Sequence, residues 1–424
     1  MKLNHGLHLA YCTNIHRGET WPETFDSLKK YTLAVRERVA AGKPYAIGLR
    51  LSQRAAQELS ERSTLLEFQR WLEQTDCYIF TINGFPYGQF HGARVKEKVY
   101  LPDWTSRERV AYTNLLFDLL AQLVPADVEG SVSTVPCGFK ELVTSEEQLK
   151  MIRKNIWECV GHIARVGEKT GRKLHLGLEP EPLCVLETSG EAVDFFGRMR
   201  EEHRGDSRLA EHLGINYDAC HLAVEFEEPQ NALGALIQNG IKISKLHLSS
   251  ALKVKPTLET RAALEKFADD IYLHQVIVQR ADGSRLKYRD LGDALANEQP
   301  PTGGAEEDIG ALARADVAAS RDGSRSVPAP SSTLDSKSSE WRIHFHVPLQ
   351  SASTPLFDNT TDHLMGVLDM LGSNPTTCSH LEMETYTWEV LPRELKSRDV
   401  VEQLVAEYHW TLGQLAHRGL CGRA

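Results

Sequence analysis

The sequence predicts an α/β protein in which strands and helices alternate to close a (β/α)8 barrel. Three observations carry that expectation. Short β-type runs alternate with longer helical patterns along most of the 424 residues, as parallel βα units require. In the late runs the apolar side chains occupy one parity and polar or glycine positions the other, which is the mark of a strand with two different faces. Five runs also end in or beside a Glu, Asp or His, and barrels of this kind do their chemistry at the C-terminal strand ends.

The candidate strands are 7–12, 46–51, 78–83, 131–135, 174–179, 213–218, 243–248, 342–347 and 380–384. Between them lie helical segments with readable ends. Thr144-Ser-Glu-Glu147 reads as a capping box, its hydroxyl and carboxylate satisfying N–H groups of the first turn. Behind it Ile152, Ile156, Val160 and Ile163 recur at helical spacing, and Gly171 offers a stop. The last helix starts near Ser397, carries Val401, Leu404, Tyr408, Leu412 and Leu415, and ends at Gly419.

Nine strands are one too many for an eightfold barrel, and the surplus falls between His247 and His380. There 271–278 and 285–288 flank Ala281-Asp-Gly-Ser284, which reads as a β-hairpin. Residues 298–339 are rich in Gly, Pro, Ser, Ala and Asp without apolar periodicity. Such a segment buries too little surface to offset its ordering entropy, so it reads as a disordered insert. Strand patterns resume at Trp341, and the insert therefore interrupts a single barrel domain spanning 1–424.

Composition narrows the function classes. With 41% hydrophobic and 25% charged residues the chain is of the ordinary globular kind. A formal net charge of −10 without a long basic run argues against nucleic acid as a partner. The eight cysteines are scattered with no C-x-x-C pair, which argues against a disulfide framework or a structural zinc site. The first residues lack an apolar signal region, and no apolar run approaches the ~20 residues of a membrane span. A cytoplasmic protein with no direct membrane span is expected. Neither a P-loop nor a G-x-G-x-x-G fingerprint is present, which removes the simplest ATP and dinucleotide readings.

Parity then points to a rim. His175, Gly177 and Glu179 share one face of their strand; Gly214, Asn216 and Asp218 share another; Lys245 and His247 a third. Arg342, His344 and His346 form a fourth set, and His380, Glu382 and Glu384 a fifth. Glu179, Asp218, His247 and Glu384 make a carboxylate–imidazole set suited to a divalent ion such as Mn²⁺, Mg²⁺, Co²⁺ or Zn²⁺. Glu179 against Glu181, and Glu382 against Glu384, stay open as ligands. His221, three residues after Asp218, faces the substrate, and His346 is a spare ligand or proton carrier. The loop Asn83-Gly-Phe-Pro-Tyr-Gly-Gln-Phe-His91 is rich in Gly and aromatics and suits equally a ligand cover, with Asn83 a substrate contact, or a structural loop using Gly for tight turns. Asn14 and His16, after the first strand, either reach the rim or, as the stronger reading, sit in a surface loop; the aromatics of Thr385-Tyr-Thr-Trp388 either stack on a sugar or polyprenyl group or, as the stronger reading, pack in the core.

At Glu179, Asp218-x-x-His221, His247 and the Glu384-Thr385 pair the chain resembles the xylose-isomerase-like TIM barrels, over roughly residues 5–415. Within them it is most similar to the metabolite traffic protein EboE family. The strings carrying this closer likeness are Tyr11-Cys-Thr-Asn-Ile-His16, Thr81-Ile-Asn-Gly-Phe-Pro-Tyr-Gly88 with Phe90-His-Gly92, and Tyr100-Leu-Pro-Asp-Trp104. Leu178-Glu-Pro-Glu-Pro182 and His380-Leu-Glu-Met-Glu-Thr-Tyr-Thr-Trp388 complete them. The resemblance implies a role in moving a secondary metabolite or prenyl-type precursor, beside other proteins of an export pathway. Where isomerase relatives often carry an acidic residue two positions after the strand-seven His, this chain has Ser249.

Three functions follow as expectations. The first is a metal-dependent isomerase or epimerase of a small polyol, sugar or carbonyl metabolite, with Glu179 and Glu384 as base and acid and His221 orienting a substrate oxygen. The second is a non-catalytic carrier using the same cavity. The third is metal-dependent phosphodiester hydrolysis as in endonuclease IV, drawing on His5, His8, His91, His344 and His346.

Overall fold

Parallel pairing runs through eight strands of the computed structural model, which describes residues 1–88, 96–268, 272–298, 339–386 and 399–422. The first seven are β1 (His8–Tyr11), β2 (Tyr45–Arg50), β3 (Cys77–Asn83), β4 (Gly130–Thr134), β5 (Leu174–Leu178), β6 (Leu213–Asp218) and β7 (Lys242–Leu248). A second group follows: β8 (Leu252–Val254), β9 (Val276–Gln279), β10 (Arg285–Tyr288), β11 (Glu340–Ile343) and β12 (Asp358–Asn359). The chain then returns as β13 (His380–Met383). The parallel sheet runs β1-β13-β7-β6-β5-β4-β3-β2, and a bridge between Cys12 and Gly48 nearly closes it into a barrel.

Gly48 marks the point of closure. A Cβ there would fall 2.0 Å from Glu382 Oε1 and 2.7 Å from the Tyr11 carbonyl. Only a residue without a side chain lets β2 approach β1 while Glu382 occupies the interior.

The predicted parity holds on the barrel strands. Leu174, Leu176, Leu178, Leu213, Ile215, Leu246, Leu381 and Met383 are buried in the main core with the surrounding helices. The opposite faces fill the interior with polar groups: His380 Nδ1 meets Ser131 Oγ at 2.8 Å, and His175 Nδ1 meets Ser244 Oγ at 2.6 Å. Helix Glu146–Thr170 has its capping box on Ser145 and Gln148, one residue later than expected, because Gln148 reaches the N–H groups of Ser145 and Thr144. Its stop is as read, with Gly171 at φ 67°. The final helix, Val400–His417, begins at an Asp399 cap; Ser397, near which the sequence places its start, lies outside the described residues. All eight cysteines are free and buried.

One element requires correction. Residues 342–347 are not a barrel strand: β11 ends at Ile343 and pairs antiparallel with β8 and β9 in a separate sheet ordered β10-β9-β11-β8-β12. That sheet has its own core of Leu252, Val254, Phe267, Val276, Trp341 and Phe345. Alternation in 342–347 is real, but parity reports a buried face without reporting which sheet buries it. The hairpin forms as β9 and β10, with Gly283 at φ 80° in its turn. The insert expected at 298–339 lies outside the described residues apart from its two ends. Among the described residues, no helix is long and apolar enough to cross a membrane.

Candidate metal centre at the barrel rim

Four strand ends deliver the set. Glu179 follows β5, Asp218 ends β6, His247 is the penultimate residue of β7, and Glu384 follows β13. Each offers a ligand atom, all within 4.8 Å of one another, and all four side chains are buried. Asp218 is also the N-cap of the short helix Ala219–Val224, accepting from the His221 N–H at 3.0 Å. Strand and helix therefore fix this carboxylate together. Ser249, the departure from the isomerase pattern, donates to the same Asp218 Oδ1 at 2.7 Å.

The two ambiguous pairs separate in space. Glu179 and Glu384 are in the set, whereas Glu181 and Glu382 stand beside it. Glu382 pairs with Lys245 Nζ at 2.5 Å and with His247 Nε2 at 2.9 Å. A buried carboxylate on the far ring nitrogen orients the imidazole and raises its basicity as a ligand. Lys245 also donates to Ser133 Oγ at 3.0 Å. Burial pushes Glu382 upward, but Lys245 and His247 outweigh it and hold it down to about 2.

His247 Nδ1 faces three carboxylates at once: Glu179 at 2.9 Å, Glu384 at 3.1 Å and Asp218 at 3.3 Å. One N–H cannot satisfy three acceptors, and Glu179 Oε2 and Asp218 Oδ2 are buried without a hydrogen bond. Burial opposes charge on His247, yet Glu384 and Glu179 raise it well above the ordinary histidine range. Burial likewise opposes ionisation of Asp218, and His221, His346 and His247 hold it well below the carboxylate range. Counting Glu382, four carboxylates face the Lys245 ammonium and the His247 imidazole, with the His346 ring 3.5 Å from Glu384 and the His221 ring beside Asp218. Buried charge of this kind needs a partner, and a divalent ion fits both the deficit and the mixed O/N donors.

Asn14 is not on the surface, as the sequence suggested. It is buried and donates to Glu384 Oε1 at 2.7 Å, joined by Asn83 at 3.2 Å. His16 is also buried, against Tyr11 and Tyr31 and away from the set. A small cavity of about 50 Å³ opens over the centre, lined by Glu179, Glu181, His221, His344, Glu384 and Tyr386 among others. Asn83 lines it too. Tyr386 thus serves the cavity, while Thr385 donates to Glu407 at 2.8 Å. Larger cavities lie elsewhere: one of about 770 Å³, lined by Met1, His8 and Tyr78, opens at the opposite end of the barrel.

His344 and His346 reach the rim from the second sheet, and His221 meets them there. Glu181 lies beside His344, bonded by Tyr100 Oη at 2.6 Å, and burial raises it to about 7. His5 and His8 do not reach the rim. They sit at the N-terminal end of β1, His8 against Tyr78, and His91 lies outside the described residues. Tyr100, which opens one of the strings named above, and Gln275, which no spacing in the sequence singles out, complete this side.

No protein-family model matches the chain, and no curated protein matches it. Solved structures do. A xylose isomerase-like TIM barrel protein from Mycobacterium smegmatis, solved in complex with magnesium, superposes with a TM-score of 0.51 at 13% identity, covering 99% of each chain. The fold is that of the xylose-isomerase-like TIM barrels. An L-ribulose 3-epimerase gives 0.49 at 10% identity over 97% of this chain and 96% of its own. A D-tagatose 3-epimerase-like protein gives 0.45 at 12% identity over 96% and 99%.

Proposed function

We propose that this barrel is a divalent-metal-dependent isomerase or epimerase of a small polyol, sugar or related carbonyl metabolite. The observation that carries the reading is the convergence of Glu179, Asp218, His247 and Glu384 on one charge-deficient point under a rim cavity. These four residues would hold the ion, which when bound polarises a substrate carbonyl or hydroxyl. The two glutamates are differently prepared. Glu384 Oε1 is held by two amide donors, whereas Glu179 Oε2 is buried and unbonded. Glu179 is therefore the base that takes a proton from the substrate carbon, and Glu384 returns one to the other face. Asn83 fixes Glu384 and the cavity wall, and His221 orients a substrate oxygen.

The strings that resemble the metabolite traffic protein EboE family support a setting for this chemistry. The substrate would be a secondary metabolite or prenyl-type precursor, handled in the cytoplasm beside proteins of an export pathway. Elemental analysis of the purified protein beside Asp218→Ala tests the centre: metal is expected in the first and at least one ion fewer in the second. Incorporation of solvent deuterium at a substrate carbon tests the turnover. A ligand that binds without any deuterium exchange, with export surviving Glu179→Gln and Glu384→Gln, would replace the enzyme with a carrier.

A further inference from the structure

Three imidazoles outside the four-residue set converge nitrogen to nitrogen beside it. His221 Nε2 lies 3.0 Å from His344 Nε2 and 3.4 Å from His346 Nε2, and the last two are 3.2 Å apart. All three rings are buried. Each points its other nitrogen at an acceptor. His221 Nδ1 meets the Pro180 carbonyl at 2.9 Å, and His346 Nδ1 the Glu384 carbonyl at 3.0 Å. His344 Nδ1 meets Gln275 Oε1 at 2.7 Å. The Gln275 amide is oriented by its other end, where Nε2 faces the Pro182 carbonyl at 3.2 Å and Tyr100 Oη at 2.7 Å.

Carbonyl oxygens only accept, so each Nδ1 carries a hydrogen and the three Nε2 atoms are left facing one another, with the Tyr386 hydroxyl also 3.3 Å from His344 Nε2. A single proton serves one pair along one line, not a triangle. A metal ion serves all three: bonds of 2.0–2.1 Å at tetrahedral angles place ligand nitrogens about 3.3 Å apart, close to the separations found.

We propose that His221, His344 and His346 form a second divalent-metal site, distinct from the carboxylate-rich one, for an imidazole-preferring ion of the Zn²⁺ or Co²⁺ class. Asp218 joins the two sites, since it lies within ligand reach of His221 and His346 as well as of Glu179, His247 and Glu384. His221 and His344 line the rim cavity, so a position of this ion opens to water or a substrate oxygen, as in three-ligand catalytic centres. His221 and His346 then address the substrate through the ion. Gln275 and the Pro180 and Glu384 carbonyls set the tautomers that make this possible.

The full chain, stripped with chelator and reloaded with Zn²⁺ alone, is expected to hold two ions per chain by elemental analysis. His344→Asn/His346→Asn is expected to hold one, and Glu179→Gln/Glu384→Gln one. An anomalous difference map of Zn²⁺-loaded wild-type crystals, which needs no variant to fold, is expected to show a peak among the three Nε2 atoms. No peak there, or one ion whose count is unchanged in the histidine variant, overturns the proposal. One ion lost in the histidine variant and kept in the glutamate variant upholds this site and overturns the carboxylate centre instead.

Discussion

The barrel interior and its rim both bury carboxylates, and they neutralise them by opposite means. In the interior Glu382 has its own ammonium, Lys245, at 2.5 Å, with neither side chain exposed. A few ångströms above, Glu179, Asp218 and Glu384 converge on one nitrogen of His247, with no ammonium of their own. The chain thus supplies an internal cation where the charge is structural and leaves a deficit where the cavity opens. A third case sits apart: Glu407, buried on the last helix, has neither cation nor rim, and burial raises it to about 7. Pairing, protonation and an external ion are three answers to the same desolvation cost.

Breaking the interior pair has the largest expected effect. Lys245→Met leaves Glu382 buried beside His247 alone and is expected to cost about 3–5 kcal/mol in urea denaturation. Lys245→Met with Glu382→Gln removes the stranded charge and is expected to recover most of that loss. A double variant as unstable as the single would show that the pair contributes packing, not charge balance.

At the rim the missing cation is added rather than removed. Titrating chelated protein with a divalent ion to 100–1,000 times its dissociation constant is expected to stabilise it by about 3–4 kcal/mol. Asp218→Ala should show a clearly smaller rise in melting temperature. An equal rise in both would move the ion away from these residues.

Glu407 sharpens the contrast through pH. Its folded-state value is raised from an ordinary 4.5 to about 7, so the folded protein binds the extra proton between those values. The stability this group contributes is full below pH 4.5 and is lost as pH rises toward 7 and beyond. Glu407→Gln is expected to be more stable than wild type above pH 7, by up to about 3 kcal/mol. Thermal melts at pH 5 and pH 8 check it, and a gain of equal size at both would break the assignment.

The smallest effect concerns the hydroxyl that fixes Asp218. Ser249→Ala removes the 2.7 Å bond to Oδ1 and is expected to weaken metal binding 10–100-fold, in line with other outer-shell changes. Competition with a metallochromic chelator measures it. Unchanged affinity would mean that the helix cap alone holds the carboxylate.

By itself the sequence determined the barrel, the hairpin and the strand ends from which the candidate set comes, because period-two alternation and strand-end position are local properties of the chain. Asp218 could be read because it ends a strand and begins a helix, two signals within three residues. Tertiary structure alone decided the rest. Glu179 and Glu181 bracket one proline, and Glu382 and Glu384 share a parity, so only the closure of the sheet around Gly48 sends Glu382 inward to Lys245 and Glu384 to the rim. Residues 342–347 carry a strand's alternation into a different sheet, and the turn after Ile343 brings His344 and His346 to His221 across 123 and 125 residues. Contacts so distant in sequence leave no periodic trace, since each ring's direction is set by a carbonyl from another part of the chain.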